Sequence, residues 1–236
     1  MKKFDSIQTL YEGGKGEFTL TPTSIANKLA LIKAYVFDWD GVFNGGVKSM
    51  NTQSTFSEID TMGINLLRFS HWLEHNTLPI VVIITGESNK TARWLGEREH
   101  FDAIYAGIKN KKVALDHFCA QWDVQPQAVA FVFDDLLDLS LAQKVGLRFM
   151  VSNQANPLFK RYVKKKQLAD YITGQPGNGY ALREVTELMI GLRANYDMTL
   201  EARIDYTHRY QEYWTIRNER TTTFYAYDSE AIIAIT

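Results

Sequence analysis

From Ile32 onward, short apolar runs rich in Val, Ile and Phe alternate with helical patterns. Neighbouring parallel strands need a long crossover connection, usually a helix, so this alternation predicts βαβ units. We expect an α/β fold, a Rossmann-like three-layer sandwich with a parallel sheet. Ser88 and Asn156 are the predicted N-caps of two helices. Strands are predicted near residues 34–38, 80–85, 103–105, 128–134, 147–151 and 170–172, and helices near 63–75, 88–99, 111–122, 137–145, 156–166 and 180–194.

Two carboxylates end the first predicted strand, because residues 35–42 read Tyr-Val-Phe-Asp-Trp-Asp-Gly-Val. Open α/β sheets bind ligands at the carboxyl ends of their strands, so Asp38 and Asp40 should project together into a site. The alternative is a solvated strand end with ordinary turn acids.

Two later segments repeat this arrangement. Residues 81–86 are an apolar strand that ends in Thr85 and Gly86, and residues 131–138 are one that ends in Asp134, Asp135 and Asp138. Between them Lys111 stands at a predicted helix start. Residues 109–112 read Lys-Asn-Lys-Lys, and charge alone does not say which of the three lysines enters a pocket. Thr85 by itself is equally consistent with a turn hydroxyl.

Asp-x-Asp-Gly, Thr-Gly, Lys and Asp-Asp-x-x-Asp in this order resemble the four-part signature of haloacid dehalogenase-type phosphohydrolases. The resemblance implies an Mg²⁺-dependent phosphatase in which Asp38 is the nucleophile and a metal ligand. It implies that Asp40 is the general acid and base and a ligand through its backbone carbonyl, and that Asp134 is the third protein ligand. Hard oxygen ligands and the absence of a Cys or His cluster beside these acids also favour Mg²⁺ over zinc.

The same resemblance implies a phosphate-binding role for Thr85, Gly86 and Lys111. Asp135 and Asp138 are then supporting acids, with Asp138 orienting Lys111 or a metal-bound water.

The segment after Asp40 suits a small β-hairpin and leaves no room for a large cap domain. In this respect the chain is similar to the capless branch that acts on 3-deoxy-octulosonate 8-phosphate and on nine-carbon acid sugars. That branch implies a homotetramer in which a neighbouring subunit closes the pocket, and a phosphorylated sugar as substrate. The matching residues lie within 32–192 and include Phe56, Asp60, Gly63, Gly107 and the run 177–185.

Several positions differ from the octulosonate phosphatases, namely Asn44, Thr61, Phe133 and Glu87. We treat Glu87, Arg98 and Arg183 as candidate specificity residues; a surface ion pair between Glu87 and Arg98 is the alternative for the first two. Two other functions remain open: a catalytically weak scaffold that binds a partner, and a broad small-phosphate hydrolase.

Composition limits the partners and the compartment. The chain has 236 residues, 45% hydrophobic, and 26 basic against 27 acidic residues, so no global field favours nucleic acid or an anionic membrane. The single cysteine, Cys119, excludes an internal disulfide, and no apolar run predicts a signal peptide or membrane span, so we expect a cytoplasmic protein.

We divide the chain into an N-terminal extension (1–30), a phosphatase core (31–194) and an aromatic-rich C-terminal extension (195–236). The last is predicted to contain a helix over 199–218 and a strand over 221–225, and to pack on the core or a sister subunit or to form a lid.

Overall fold

The computed structural model describes residues 4–50, 54–228 and 231–235. The strands are β1 (Glu17–Phe18), β2 (Ala34–Phe37), β3 (Ile80–Ile84), β4 (Ala103–Ala106), β5 (Val129–Phe133), β6 (Leu147–Met150), β7 (Tyr171–Ile172), β8 (Thr223–Asp228) and β9 (Ala231–Ile235). The helices are α1 (Asp5–Gly13), α2 (Pro22–Leu29), α3 (Glu58–His75), α4 (Lys90–Glu99), α5 (Lys111–Trp122), α6 (Leu139–Ala142), α7 (Pro157–Lys165), α8 (Ala181–Arg193), α9 (Tyr196–Ile204) and α10 (His208–Asn218).

These strands form one sheet in the order β1-β7-β6-β5-β2-β3-β4-β8-β9. The strands from β7 to β8 in that order are parallel, which confirms the predicted α/β fold and its six predicted strands. The sheet is mixed rather than wholly parallel, because β1 and β9 join its two edges in antiparallel pairing. Both edge strands come from the segments outside the predicted core.

Side chains of the central strands alternate between two apolar layers, as the two-residue period of a strand requires. On one face, Tyr35 and Phe37 pack with α2, α3, α4 and α8. On the other, Val36 packs with α5, α6 and α7. Because both faces are covered, the strands read as continuous apolar runs, and their polar residues fall at the strand ends.

The cap of α4 is one residue later than predicted. Asn89, not Ser88, is the N-cap, and its Oδ1 accepts hydrogen bonds from the backbone N–H groups of Thr91 and Ala92 at 3.1 and 3.3 Å. Asn156 does precede α7, but its side chain makes no capping hydrogen bond. Pro157 follows it at the first helical position, where no N–H group needs a partner.

The β-hairpin predicted after Asp40 is not found in the described part of that segment. Residues 42–50 and 54–57 form turns and irregular chain, and 51–53 lie outside the described residues. A side chain replaces the strand ladder here. Asn44 Nδ2 donates to the carbonyl oxygen of Thr55 at 2.8 Å, and its Oδ1 accepts from the backbone N–H of Gly46 at 2.8 Å.

The tail also differs from its prediction, because two helices replace the single helix expected over 199–218. The helical conformation is interrupted between α9 and α10 at Tyr206, whose φ is +48°. Tyr210 and Tyr213 of α10 pack on Phe69 and Trp72 of α3, and β8 pairs with β4. The aromatic tail therefore lies against the core. Within the described residues, no helix combines the length and the apolarity that crossing a membrane requires.

Candidate active site

A buried lysine joins the ends of two strands. Lys111 is the first residue of α5, and its Nζ donates to Asp38 Oδ1 and lies 2.5 Å from Asp138 Oδ1. All three residues are almost completely buried. Burial by itself lowers the pKa of Lys111, but the charges of Asp38 and Asp138 outweigh it and raise the pKa above its ordinary value. The ammonium group therefore stays charged and neutralises part of the acidic cluster.

Asp134 completes this cluster at the end of β5, the strand that pairs with β2. Carboxylate oxygens of Asp38, Asp134 and Asp138 all lie within 4.8 Å of one another. Burial raises the pKa of Asp134, and the neighbouring charges of Asp38 and Asp138 raise it further. Burial also raises the pKa of Asp38, against the opposing effect of Lys111. Two of the three carboxylates, those of Asp38 and Asp138, thus pair with the same ammonium group.

The donor set fits a hard divalent cation. Mg²⁺ prefers carboxylate and carbonyl oxygens, and this cluster offers three carboxylates beside the single ammonium group of Lys111. Asp138 is the least available of them, because its Oδ1 faces Lys111 and its Oδ2 accepts from the backbone N–H groups of Asp134 and Asp135 at 3.3 and 3.1 Å. Asp38 and Asp134 are the side chains best placed to hold a metal.

Asp138 and Asp135 also determine the shape of the loop after β5. Asp135 caps the short 3₁₀ turn Leu136–Asp138, and its Oδ1 accepts from the backbone N–H of Leu136 at 2.7 Å. Phe133, which precedes the acidic pair, is fully buried and stacks on Phe131 with ring centroids 5.6 Å apart. The large side chain is accommodated inside the core.

Asp40 lies outside this cluster of three carboxylates and has its own partners. Its Oδ1 accepts a hydrogen bond from the Ser54 hydroxyl at 2.6 Å, and its Oδ2 lies 2.6 Å from Lys48 Nζ. The Asp40 side chain is 24% exposed, whereas that of Asp38 is 8% exposed. The two carboxylates therefore have different environments, one inside the cluster and one at the surface of a cleft.

Thr85 and Gly86 follow β3, which lies beside β2. Thr85 is buried, its backbone N–H donates to the carbonyl of Tyr105, and its carbonyl accepts from the backbone N–H of Ile108. These bonds tie the end of β3 to the loop that leads into α5. Thr85 and Lys111 are thus held at the same end of the parallel strands as Asp38, the carboxyl end.

A cleft of about 270 Å³ opens over the carboxyl ends of these strands. It is bounded by Asp40 and the turn that contains Asn44, by Asp134, by residues 151–153 after β6 and by residues 176–178. Gly177 closes one wall, because a Cβ there would lie 2.1 Å from the carbonyl oxygen of Gly41.

The three candidate specificity residues lie in different surroundings. Glu87 pairs with Lys109 at 2.5 Å and not with Arg98. It follows Thr85 and Gly86 beyond the carboxyl end of β3.

Arg98 makes a two-point ion pair with Glu58 and covers the Phe56 ring, outside the lining of the cleft. The guanidinium group of Arg183 pairs with Glu187, and its backbone N–H donates to Asp60 at 2.8 Å. Neither arginine lines the cleft, and neither does Glu87.

Sequence patterns did not indicate Ser54 and Lys48, which contact Asp40, Asn89, which donates to Ser54, or Ser152 and Asn153, which line the cleft. The last two follow a predicted strand, so the rule about strand ends could have found them. Ser54 and Lys48 lie in irregular chain, where no period in the sequence marks them.

No family model matches the chain. Individual relatives and solved structures do resemble it, and they agree with the geometry of the site. It is 30% identical over 170 residues to the 3-deoxy-D-manno-octulosonate 8-phosphate phosphatase KdsC of Yersinia pestis, which covers 70% of this chain and 83% of that protein. It is 29% identical over 179 residues to KdsC of Salmonella typhi, which covers 74% of this chain and 88% of that protein.

Among solved structures, the chain resembles 3-deoxy-D-manno-octulosonate 8-phosphate phosphatase from Moraxella catarrhalis, in complex with a magnesium ion, a phosphate ion and a KDO molecule. The two share a TM-score of 0.63 and 26% identity, over 76% of this chain and 98% of the other. The chain therefore belongs to the haloacid dehalogenase superfamily, in its KdsC-like branch of phosphatases without a large cap.

Proposed function

We propose that this protein is an Mg²⁺-dependent phosphatase of a phosphorylated acidic sugar, 3-deoxy-octulosonate 8-phosphate or a nine-carbon analogue. One observation carries the proposal: Asp38 pairs with the buried Lys111 and lies within 4.8 Å of a carboxylate oxygen of Asp134, at the carboxyl ends of parallel strands and below a polar cleft. The KdsC relatives and the solved structure with magnesium, phosphate and KDO support the substrate class and the metal.

Asp38 is the proposed nucleophile. A carboxylate oxygen of Asp38 attacks the phosphorus, the bond from phosphorus to the sugar oxygen breaks, and an aspartyl phosphate forms. Burial suits this role, because a desolvated carboxylate is not shielded by water from an incoming phosphate. Mg²⁺ held by Asp38, Asp134 and the Asp40 carbonyl would supply the charge that lets an anionic nucleophile approach a phosphate dianion.

Asp40 is the proposed general acid and base. In the first step its carboxylic acid gives a proton to the departing sugar oxygen. In the second step its carboxylate takes a proton from the water that attacks the aspartyl phosphate, and the bond from phosphorus to Asp38 breaks. Its position at the surface of the cleft supports this role, because the group must reach both the sugar and water.

Thr85, Gly86 and Lys111 are the proposed phosphate-binding residues. The Thr85 hydroxyl and the backbone N–H groups that follow it can donate to phosphoryl oxygens, and Lys111 provides a compact positive charge. Asp135 and Asp138 support the site by holding the loop that carries Asp134. Glu87 is the best placed of the three candidate specificity residues, because it follows Thr85 and Gly86 at the carboxyl end of β3.

We also propose the division into an extension (1–30), a phosphatase core (31–194) and a C-terminal extension (195–236), and assembly into a homotetramer. Apolar side chains exposed in the segment after Asp40, on α3 and on α4 support self-association, because association would remove their apolar surface from water. They are Val47, Met50, Ile59, Met62 and Trp94. Light scattering coupled to size exclusion tests the assembly; a monomer at micromolar concentration would exclude it.

The test is phosphate release from a panel of acidic sugar phosphates and simple hexose phosphates, with and without Mg²⁺. We expect Mg²⁺-dependent turnover that is fastest on one acidic sugar phosphate and lost in Asp38→Asn. Asp116→Asn is the matched control, since Asp116 lies on the exposed face of α5 and pairs only with Lys112 among the residues whose ion pairs are described.

The outcomes separate the alternatives. Equal rates on acidic sugar and hexose phosphates would indicate a broad small-phosphate hydrolase. No turnover on any substrate by a folded protein that binds Mg²⁺ would overturn the enzyme function and favour a binding scaffold.

A further inference from the structure

Every hydrogen-bonding capacity of the Ser54 hydroxyl is used inside the protein. Its oxygen accepts from the indole Nε1–H of Trp39 at 2.8 Å and from Nδ2 of Asn89 at 2.7 Å. A serine hydroxyl has two acceptor positions and one proton. With both acceptor positions occupied, the proton is left for Asp40 Oδ1, which lies 2.6 Å away.

Both donors to Ser54 are held in one orientation. The indole of Trp39 is completely buried and stacks on Phe43 with ring centroids 4.7 Å apart, and an indole N–H can only donate. The carboxamide of Asn89 cannot rotate freely, because its Oδ1 caps α4 at Thr91 and Ala92. Its Nδ2 must therefore face Ser54.

We propose that Ser54 is a positioning residue for the phosphatase reaction, which holds Asp40 Oδ1 in place so that Oδ2 faces the sugar oxygen of the bound substrate. This inference rests on the proposed function, in which Asp40 is the general acid and base. Lys48, the other partner of Asp40, lies on Oδ2 with 37% of its side chain exposed. The substrate can displace this exposed lysine, whereas the buried Ser54 stays in place.

The arrangement assigns different tasks to the two oxygens of Asp40. Oδ2 carries the proton, gives it to the sugar oxygen as the phosphorus–oxygen bond breaks, and receives a proton from the attacking water in the second step. Oδ1 keeps the hydrogen bond from Ser54 throughout. Because proton transfer requires close alignment, loss of this bond should slow the steps in which Asp40 moves a proton.

The test compares two substrates with different leaving groups through kcat/KM, which reports the step that forms the aspartyl phosphate. One is the preferred sugar phosphate from the panel, whose alkoxide leaving group needs a proton. The other is 4-nitrophenyl phosphate, whose leaving group is stable without one. We expect Ser54→Ala to lower kcat/KM for the sugar phosphate about 30-fold, part of the roughly 10²- to 10⁴-fold that general acid–base catalysis contributes, but for 4-nitrophenyl phosphate less than about 3-fold.

A second variant keeps the fold and removes the orientation. Asn89→Asp retains a good N-cap for α4 but presents an acceptor to Ser54 in place of a donor. The Ser54 proton is then shared between two carboxylates, so we expect the same selective loss on the sugar phosphate, about 5- to 10-fold. Ser54→Thr keeps the hydroxyl and should recover most of the activity that Ser54→Ala loses.

Ser57→Ala is the matched control, because Ser57 lies in the same segment but caps α3 and does not contact Asp40. It should leave the ratio of the two kcat/KM values unchanged.

Equal losses on both substrates in Ser54→Ala, or an unchanged ratio in Asn89→Asp, would show that Ser54 is only structural and would overturn the inference. Failure of the proposed function is distinguishable, because then Mg²⁺-dependent turnover is missing in the unmodified protein or survives Asp38→Asn.

Discussion

Gly41 and Asp134 lie so close together that a β-carbon on Gly41 would come within 2.0 Å of Asp134 Oδ2. Gly41 also has φ of +90°, in the region that residues with a side chain rarely adopt. The two residues lie in the loops after β2 and β5, so the close approach of these loops depends on the absence of a side chain at Gly41. A glycine directly after Asp40 is therefore a requirement of the site and of the backbone.

Gly41→Ala should displace Asp134 and weaken metal binding. We expect at least about a 10-fold loss of Mg²⁺ affinity by calorimetry, since a shifted ligand or supporting group typically costs 10- to 100-fold. The backbone strain should also lower the free energy of unfolding by about 1–2 kcal/mol. Gly13→Ala in α1 is the control, because its Cβ would have no atom within 4 Å, and it should change neither quantity for the worse.

Lys111→Met should destabilise the protein in the absence of metal. Asp38 and Asp138 would remain buried without their cation, and removing one partner of a buried ion pair costs about 3–5 kcal/mol. Urea denaturation at neutral pH measures the loss. Lys112→Met is the matched control, since Lys112 forms an exposed pair with Asp116 that should contribute less than about 0.5 kcal/mol. Equal effects of the two substitutions would mean that Lys111 is not the lysine of the site.

Stability should fall in mild acid because of His71. Burial, together with the charge of Arg193, lowers the pKa of His71 from 6.5 to about 2 in the folded protein. Between these two values the unfolded chain binds a proton that the folded protein does not, so stability is fully present above pH 6.5 and is lost as the pH falls below it. One such group contributes a slope of up to about 1.4 kcal/mol per pH unit.

His71→Gln should reduce this slope by about 1 kcal/mol per pH unit in denaturation curves between pH 4.5 and 6.5. His208→Gln is the control, because the His208 side chain is 83% exposed, and it should leave the slope unchanged. The same slope in all three proteins would mean that His71 is protonated in the folded state.

The aromatic tail should be part of the folding unit. Tyr213 is fully buried against Phe69 and Trp72, and its hydroxyl donates to the backbone carbonyl of Asn65 at 3.1 Å. Tyr213→Ala should lower the free energy of unfolding by about 3–5 kcal/mol, and Tyr213→Phe by about 1 kcal/mol.

A single unfolding transition that shifts as a whole in Tyr213→Ala is expected. A separate early transition for the tail would mean that it folds independently. Tyr227→Ala, at an exposed position of β8, is the control and should have an effect within about 0.5 kcal/mol.

The positions of Asp38, Asp134 and Thr85 at the carboxyl ends of the parallel strands follow from the sequence, because each residue comes directly after an apolar run. The end of a buried strand is a local property, readable from hydrophobic period and length. The partners of Asp40 could not be predicted in this way. Ser54 and Lys48 lie in irregular chain, where a side chain, Asn44, joins the two arms in place of a backbone ladder.

The sequence by itself determined the α/β fold, the positions of its central strands along the chain and the acids at their carboxyl ends, because short-range patterns of apolar and polar residues specify them. Only the tertiary structure decided which lysine is buried, which hydroxyl holds Asp40, and that β1, β8 and β9 extend the sheet. These depend on how segments far apart in the chain pack, and packing is decided by shape and by the satisfaction of buried polar groups, which no local period records.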